Sequence, residues 1–499
     1  MITRAFGAMV IFVVDARLRP HRPSDRLPVS DPGQSRWSLT RRALLRRGGA
    51  LGAALGVPGL HDAIWAAGAS AATRKPNSLP FPGRPAGTVN AAMPFDHIVV
   101  VMMENHSFDN LWGALASSGQ HGADGLTFNR AGAPTNSNPG PAGKVTAFAF
   151  PSTAQGPNVT QTWDATHQQI NGGRMNGFVA ANGNSPQPMG YYPEAVLPFA
   201  YSLAKTFTVA NRWFCSAPCQ TYPNRRFLMA GTAYGDIATD TDTASLSDSP
   251  PPNGTIFDRL HAYGVSWRNY FTDLPQTAII PSIIEKYPTN LSPVAQFYAD
   301  CAAGTLPAVS FVDPEFGVVS DIGAPLAALP GLASISAGLQ TVGGDQEEPQ
   351  DMYYGEAWAH QVLEAVLHSP AWPRTLLIYT YDEHGGYYDH VPPPKAIAPD
   401  SIPPDLTSTD VAGAYNLYGP RVPAVVVSPY AKPNAVTNVV HDHTSVLATI
   451  EAKWNLPAVT YRDANAATVM DFLNIKKAAF LKPPTIQGPS LTGPSGPTT

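Results

Sequence analysis

The chain has 499 residues, 44% hydrophobic and 14% charged, enough apolar material for a sizeable core in one large domain or two. The formal net charge is only −5, with no long basic run beyond the N-terminal part. Bulk charge therefore argues for neither nucleic acid nor a strongly acidic partner. Fifty-one prolines and 42 glycines predict many turns and long surface connections between short elements.

Residues 1–75 read as an export signal with an upstream extension rather than as fold. Thr40-Arg41-Arg42-Ala43-Leu44-Leu45-Arg46 matches the twin-arginine pattern, and a weakly apolar stretch rich in Gly and Ala follows from Gly48 to about Ala67. Ala69-Ser70-Ala71 then offers a small-residue cleavage site. The competing reading is a basic arm ahead of an amphipathic helix. Export by this route implies a twin-arginine translocase as partner, and a periplasmic, cell-envelope or extracellular destination. The apolar run Ala8 to Val14 is too short to span a bilayer, and no later segment has eighteen consecutive apolar residues, so a soluble mature protein is expected. Cys215, Cys219 and Cys301 allow one disulfide in an oxidising compartment but are no scaffold.

Residues 76–93 are expected to be a Pro/Gly linker, 94–480 the catalytic domain and 481–499 a disordered tail. Ile98 to Met103 is a continuous apolar run, which predicts a strand buried on both faces. Residues 131–160 are polar and expected to be loop. Leu197 to Phe207 has helical spacing and leads into a short strand, Thr208 to Ala210. A helix is expected from Asn224 to about Ala233, an exposed loop from Thr239 to Pro252, and strands at Val265 to Tyr270 and Ala308 to Val312. A helix from Tyr354 to Leu367 precedes a second strong strand, Thr375 to Tyr381; Val422 to Ser428 is a third, and Thr444 to Trp454 a helix. Buried strands alternating with helices predict an α/β fold around a mostly parallel sheet.

Ligands in such sheets bind beyond the carboxyl ends of the strands. Two strong strands here end in adjacent oxygen-bearing pairs, Glu104-Asn105 and Asp382-Glu383. Three carboxylates and an amide converging on one sheet edge are costly without a cation. The oxygen-rich set suits one divalent ion, with Mg²⁺, Ca²⁺, Mn²⁺ and Zn²⁺ all open. Thr221 stands just ahead of a helix whose first turn accommodates Pro223, where backbone N–H groups favour a phosphate. A threonine hydroxyl there needs a metal or a base to become a nucleophile.

The flanks of these residues carry a resemblance. Glu104-Asn105-His106-Ser107-Phe108-Asp109-Asn110 resembles the Glu-Asn-Arg-Ser-Phe-Asp box of the bacterial phosphoesterase family that includes non-specific phospholipase C and acid phosphatase A. Thr221-Tyr222-Pro223-Asn224-Arg225 is similar to its Ser/Thr-x-Pro-Asn-Arg box, and Asp382-Glu383-His384-Gly385-Gly386-Tyr387-Tyr388-Asp389-His390-Val391 to its Asp-Glu-His-Gly-Gly-x-Tyr-Asp-His-Val box. Gly419-Pro420-Arg421-Val422-Pro423 followed by His441-Asp442-His443-Thr444-Ser445 matches the C-terminal signature.

The resemblance implies an alkaline-phosphatase-like fold with helices on both faces of the sheet and a smaller lid or cap. It implies metal ligands Glu104, Asn105, Asp382 and Glu383, the nucleophile Thr221, a phosphoryl contact from Asn224 and an acid/base or phosphate-binding histidine at His167. Glu348, His441, His443 and Arg225 are further candidates for catalysis or phosphate binding. Glu348-Pro349 stands where the family commonly has His-Pro, which puts rate and pH optimum in question more than reaction class. Threonine rather than serine as nucleophile tilts the implied activity to phospholipase C, releasing diacylglycerol and a phosphorylated head group through a phosphothreonine. Peripheral membrane contact is compatible with that substrate. The alternatives are a broad-specificity acid phosphatase and, more remotely, a non-catalytic binding protein.

Several residues have plainer readings. Thr221 alone would be a helix cap, and Asp442 and His443 precede a helix and could cap it. His384 and His390 could shape the loop that holds Asp382 and Glu383. Arg225 and Arg226 could pair with carboxylates. Trp163, Trp213, Tyr191 and Tyr192 fit core packing as well as a pocket wall.

Overall fold

Continuous β-branched and aromatic runs make the central strands, and their burial shows that both faces are covered. The computed structural model describes residues 74–239, 250–316 and 344–490. The twin-arginine segment, the cleavage site and most of the loop expected at Thr239 to Pro252 lie outside them. Eight strands form the main sheet: β1 (His97–Met103), β2 (Thr208–Ala210), β3 (Trp267–Phe271), β4 (Leu291–Pro293), β5 (Val309–Asp313), β6 (Thr375–Tyr381), β7 (Ala424–Val427) and β8 (Ala435–Thr437). Their order is β8-β2-β7-β6-β1-β5-β3-β4. Every neighbouring pair is parallel except those made by β7, which runs against both β6 and β2. The α/β class and the mostly parallel sheet are as the sequence predicts.

The helices that matter for the site are α1 (Phe108–Trp112), α2 (Trp163–Ile170), α3 (Pro198–Thr206), α4 (Thr221–Ala230), α5 (Met352–Leu367) and α6 (Thr444–Trp454). Asp351 caps α5, its side chain accepting from Tyr353 N at 2.9 Å. Helices α3 and α5 pack together, as do α4 and α6, in two separate groups. Outside the main sheet, Ser137–Gly140 pairs with Gly143–Thr146 as a hairpin, and Phe148–Ala149 pairs with Gly190–Tyr191. The polar 131–160 stretch, expected to be loop, therefore contributes strands. No helix among the described residues is long and apolar enough to cross a membrane.

Two segments expected to be loose are docked. The Pro/Gly stretch 76–93 straps onto the end of α6, where Asn455 adopts a left-handed conformation (φ 49°) and turns its side-chain amide outward. That amide donates to the carbonyls of Phe81, Arg84 and Pro85 and accepts from Phe81 N at 2.9 Å. At the other end, Ile486 is buried and Gln487 N donates to Ser202 Oγ at 2.9 Å, so the tail is placed as far as Ser490. Proline-rich composition forbids regular structure there without forbidding specific contacts. The three cysteines are buried and free.

Candidate active site

Strand register builds the site. β1 and β6 are parallel neighbours with Met103 opposite Tyr381, so the next residues, Glu104-Asn105 and Asp382-Glu383, emerge side by side at one sheet edge. All four are fully buried. From α4, Arg225 donates through Nε to Asp382 Oδ2 at 3.0 Å and through Nη2 to Glu104 Oε1 at 3.2 Å. Of the two readings for Arg225, carboxylate pairing is the one observed. The loop after β6 folds back on β1: Glu383 Oε2 accepts from Gly385 N at 2.8 Å, and His384 Nε2 bonds Gln169 Oε1 at 2.7 Å. Gly385 has φ 63°, and a Cβ there would collide with Asn105 O, which is why the motif has glycine at that point.

Thr221 is the first residue of α4, and Gln220 ahead of it makes no side-chain capping bond. The Thr221 hydroxyl instead points across the sheet edge and donates to Asn105 Oδ1 at 3.4 Å. Asn105 holds an unusual positive φ of 78°, a conformation that persists in a non-glycine residue only where its surroundings demand it. Asn224, expected to contact phosphoryl oxygens, has another role here. Its amide accepts from Ala217 N at 3.1 Å and donates to Cys219 O at 2.8 Å and Gln220 O at 3.0 Å, bracing the turn that delivers Thr221.

The histidines divide. His443 Nε2 donates to Asp382 O at 2.6 Å and its Nδ1 accepts from Trp213 Nε1 at 3.4 Å. Burial lowers its pKa to about 4, so it is a neutral prop under the Asp382 backbone. His441 bonds Ser445 Oγ and Asp471 and stacks on Trp213, a supporting role behind the site. His167 bonds Trp163 O at 2.8 Å and packs on the Trp163 ring at 4.4 Å, and burial lowers its pKa. These contacts lie within α2, and Trp163 packs in one buried cluster with Ala217, Cys219 and Phe227, residues on either side of Thr221. Glu348 is buried near Tyr192 and Tyr387, whose phenols burial first and the Glu348 charge second push well above their usual range.

Two acidic residues at this edge were not singled out from the sequence. Glu104 N donates to Asp345 O at 2.9 Å, and His106, next to Asn105, hydrogen-bonds Gln346 O at 3.0 Å. The segment 345–348 is thereby pinned beside the end of β1. Carboxylate oxygens of Glu104, Asp345 and Glu347 lie within 4.8 Å of one another. Burial raises the Asp345 pKa well above the carboxylate range. The signal was the acidic run Asp345-Gln346-Glu347-Glu348, of which only Glu348 stood out by its place before a proline. A hard divalent cation fits this edge: its donors are carboxylate and amide oxygens, and negative charge exceeds what Arg225 can neutralise.

Comparison with known proteins places the chain. Non-specific phospholipase C6 of Arabidopsis thaliana is 32% identical over 409 residues, 76% of this chain and 72% of that protein. Phospholipase C B of Mycobacterium tuberculosis is 29% identical over 462 residues, 80% of each. Among solved structures, a protein in the alkaline phosphatase superfamily from Vibrio parahaemolyticus is similar at 12% identity and a TM-score of 0.32, covering 70% of this chain and 76% of that one, a likeness too slight to build on. The profile of the phosphoesterase family matches residues 95–457, a span that holds Glu104, Asn105, Thr221, Asp382 and Glu383. The chain belongs to the phosphoesterase family.

Proposed function

We propose that this chain is an exported, metal-dependent phospholipase C that works through a phosphothreonine on Thr221. The observation that carries the reading is the meeting of Thr221 Oγ1 with Asn105 Oδ1, 3.4 Å apart, at the edge where Glu104 and Asp382 emerge together. A helix cap would bond its own first-turn amides; this hydroxyl faces the acidic edge.

Glu104, Asn105, Asp382 and Glu383 would hold the cation, whose charge would offset that of the phosphoryl oxygens. Asn105 orients the Thr221 hydroxyl, and the positive end of α4 favours a phosphate beside it. In the first step the Thr221 oxygen gives up its proton and bonds to phosphorus, the bond from phosphorus to the glycerol oxygen breaks, and a proton passes to that oxygen as it leaves as diacylglycerol, so the step is proton-neutral. In the second step water attacks phosphorus, the phosphorylated head group departs, and the Thr221 hydroxyl is restored. His443 keeps the Asp382 backbone in place and Asn224 braces the nucleophile turn. The names of the relatives support phospholipase C over a phosphomonoesterase, as does threonine at the nucleophile position.

Thr221→Ala should lower kcat on phosphatidylcholine by several orders of magnitude while the protein folds and binds metal, and Thr221→Ser should retain measurable turnover. Near-normal turnover by folded Thr221→Ala would sink the nucleophile. Comparing kcat/KM on phosphatidylcholine and p-nitrophenyl phosphate separates the phospholipase from the acid phosphatase. Export rests on Arg41 and Arg42: replacing both with Lys should strand active protein in the cytoplasm, and undiminished secretion would reject that route.

A further inference from the structure

The strand-end edge carries more acid than one cation balances. Glu104, Asp345, Glu347, Asp382 and Glu383 are all fully buried there. The guanidinium of Arg225 bonds two of them, Glu104 and Asp382. Five buried carboxyl groups thus gather around a single guanidinium. An anionic phosphodiester approaching Thr221 would be repelled by their charge.

The acids also fall into two sets. Asp382 and Glu383 follow β6, whereas Asp345 and Glu347 come from the segment ahead of α5, where Glu104 N donates to Asp345 O at 2.9 Å. The oxygens of Glu104, Asp345 and Glu347 lie within 4.8 Å of one another, a span that an ion at roughly 2.0–2.6 Å from each can bridge. A second observation points the same way. Asp345 Oδ2 is buried with no hydrogen-bond partner, although Asp345 Oδ1 accepts from Glu347 N at 3.1 Å. A buried carboxylate oxygen left in that state is expensive unless something electropositive sits against it. The backbone is held for the purpose: Gln346 O takes hydrogen bonds from His106 and, at 2.6 Å, from Gln155 Nε2, which fixes the two acids on either side of it.

We propose that Glu104, Asp345 and Glu347 bind a second divalent cation beside the one held by Glu104, Asn105, Asp382 and Glu383. The all-oxygen donor set selects a hard ion of the magnesium, calcium or manganese class. Glu104 belongs to both sets. The inference rests on the metal-dependent reading above. The test uses Mn²⁺ on the full-length chain, with stoichiometry from calorimetry and metal analysis, and electron paramagnetic resonance as a second readout. Wild type should take up two equivalents and give the spectrum of a coupled pair. Asp345→Asn and Glu347→Gln should each take up one and give an isolated-ion spectrum, with circular dichroism unchanged. One equivalent in wild type, or two in both variants, overturns the proposal. No binding at all in wild type overturns it together with metal dependence. Phosphatidylcholine turnover in excess chelator then reports on the phospholipase reading separately, since hydrolysis would survive there only if that reading stands without metal.

Discussion

Arg225 and Arg421 are both fully buried and both bridge carboxylates from distant parts of the chain, yet they build different things. Arg421 donates to Asp389 Oδ1 at 2.9 Å and Asp109 Oδ1 at 3.2 Å, and its Nη1 satisfies the carbonyls of Asp124 and Asn211. His390 adds a bond to Asp109 at 2.7 Å and approaches Asp124, which Arg212 also holds at 2.7 Å. Burial works to lower the His390 pKa, but Asp109 and Asp124 outweigh it and raise it to about 10. Three acids, Asp109, Asp124 and Asp389, thus face three positive groups, Arg212, Arg421 and His390. That cluster is internally neutral and joins the first, third and last sequence motifs. Around Arg225 the acids outnumber the base. Sequence motifs of equal prominence therefore divide into a neutral clamp and an edge rich in buried acid.

The largest expected effect tests the clamp. Arg421→Met leaves Asp109 and Asp389 buried without their guanidinium and should cost about 3–5 kcal/mol in urea unfolding, with kcat per folded molecule unchanged. A variant that stays stable but loses turnover would place Arg421 in the chemistry and break the comparison. Arg225→Met should cost a similar amount in chelator but behave differently with manganese. The ion neutralises the carboxylates the arginine served, so Mn²⁺ should raise the melting temperature of Arg225→Met by more than that of wild type. Arg421→Met should gain only what wild type gains. Equal gains in all three would erase the distinction.

The smallest effect is one of pH. The folded pKa of His390, about 10, lies above the usual histidine value near 6.5. Its contribution to stability is complete below pH 6.5 and disappears as pH rises towards 10. His390→Asn should accordingly be less stable than wild type by about 1.5–3 kcal/mol at pH 6, with the gap closing by pH 10. A gap independent of pH would mean that the His390 charge does not belong to the clamp.

Legibility followed the range over which each feature is determined. The strands β1 and β6 and the helix α6 stand where their apolar runs predict, because burial on both faces demands continuous hydrophobic sequence. Pairs of polar residues after β1 and β6 were legible as a site for the same reason, since a strand's end is where the run stops. The bonds of Asn224 to its own turn were not, because an amide looks the same in sequence whether it faces a ligand or its own backbone. Residues 76–93 and 481–490 make specific contacts that their composition did not announce, because composition reports the absence of periodicity, not the presence of a partner such as Asn455 or Ser202.

The α/β class and the family could be read from the order of residues alone. Which acids meet at the edge after β1 depends on the folded chain. Asp345 and Glu347 are more than 200 residues from Glu104, and nothing local to either segment encodes their meeting. It follows from the in-register pairing of β1 with β6 and from the Glu104–Asp345 and His106–Gln346 hydrogen bonds that lay the acidic run against β1. Side-chain charge is a property of the residue, but the cost of that charge depends on what else is buried beside it.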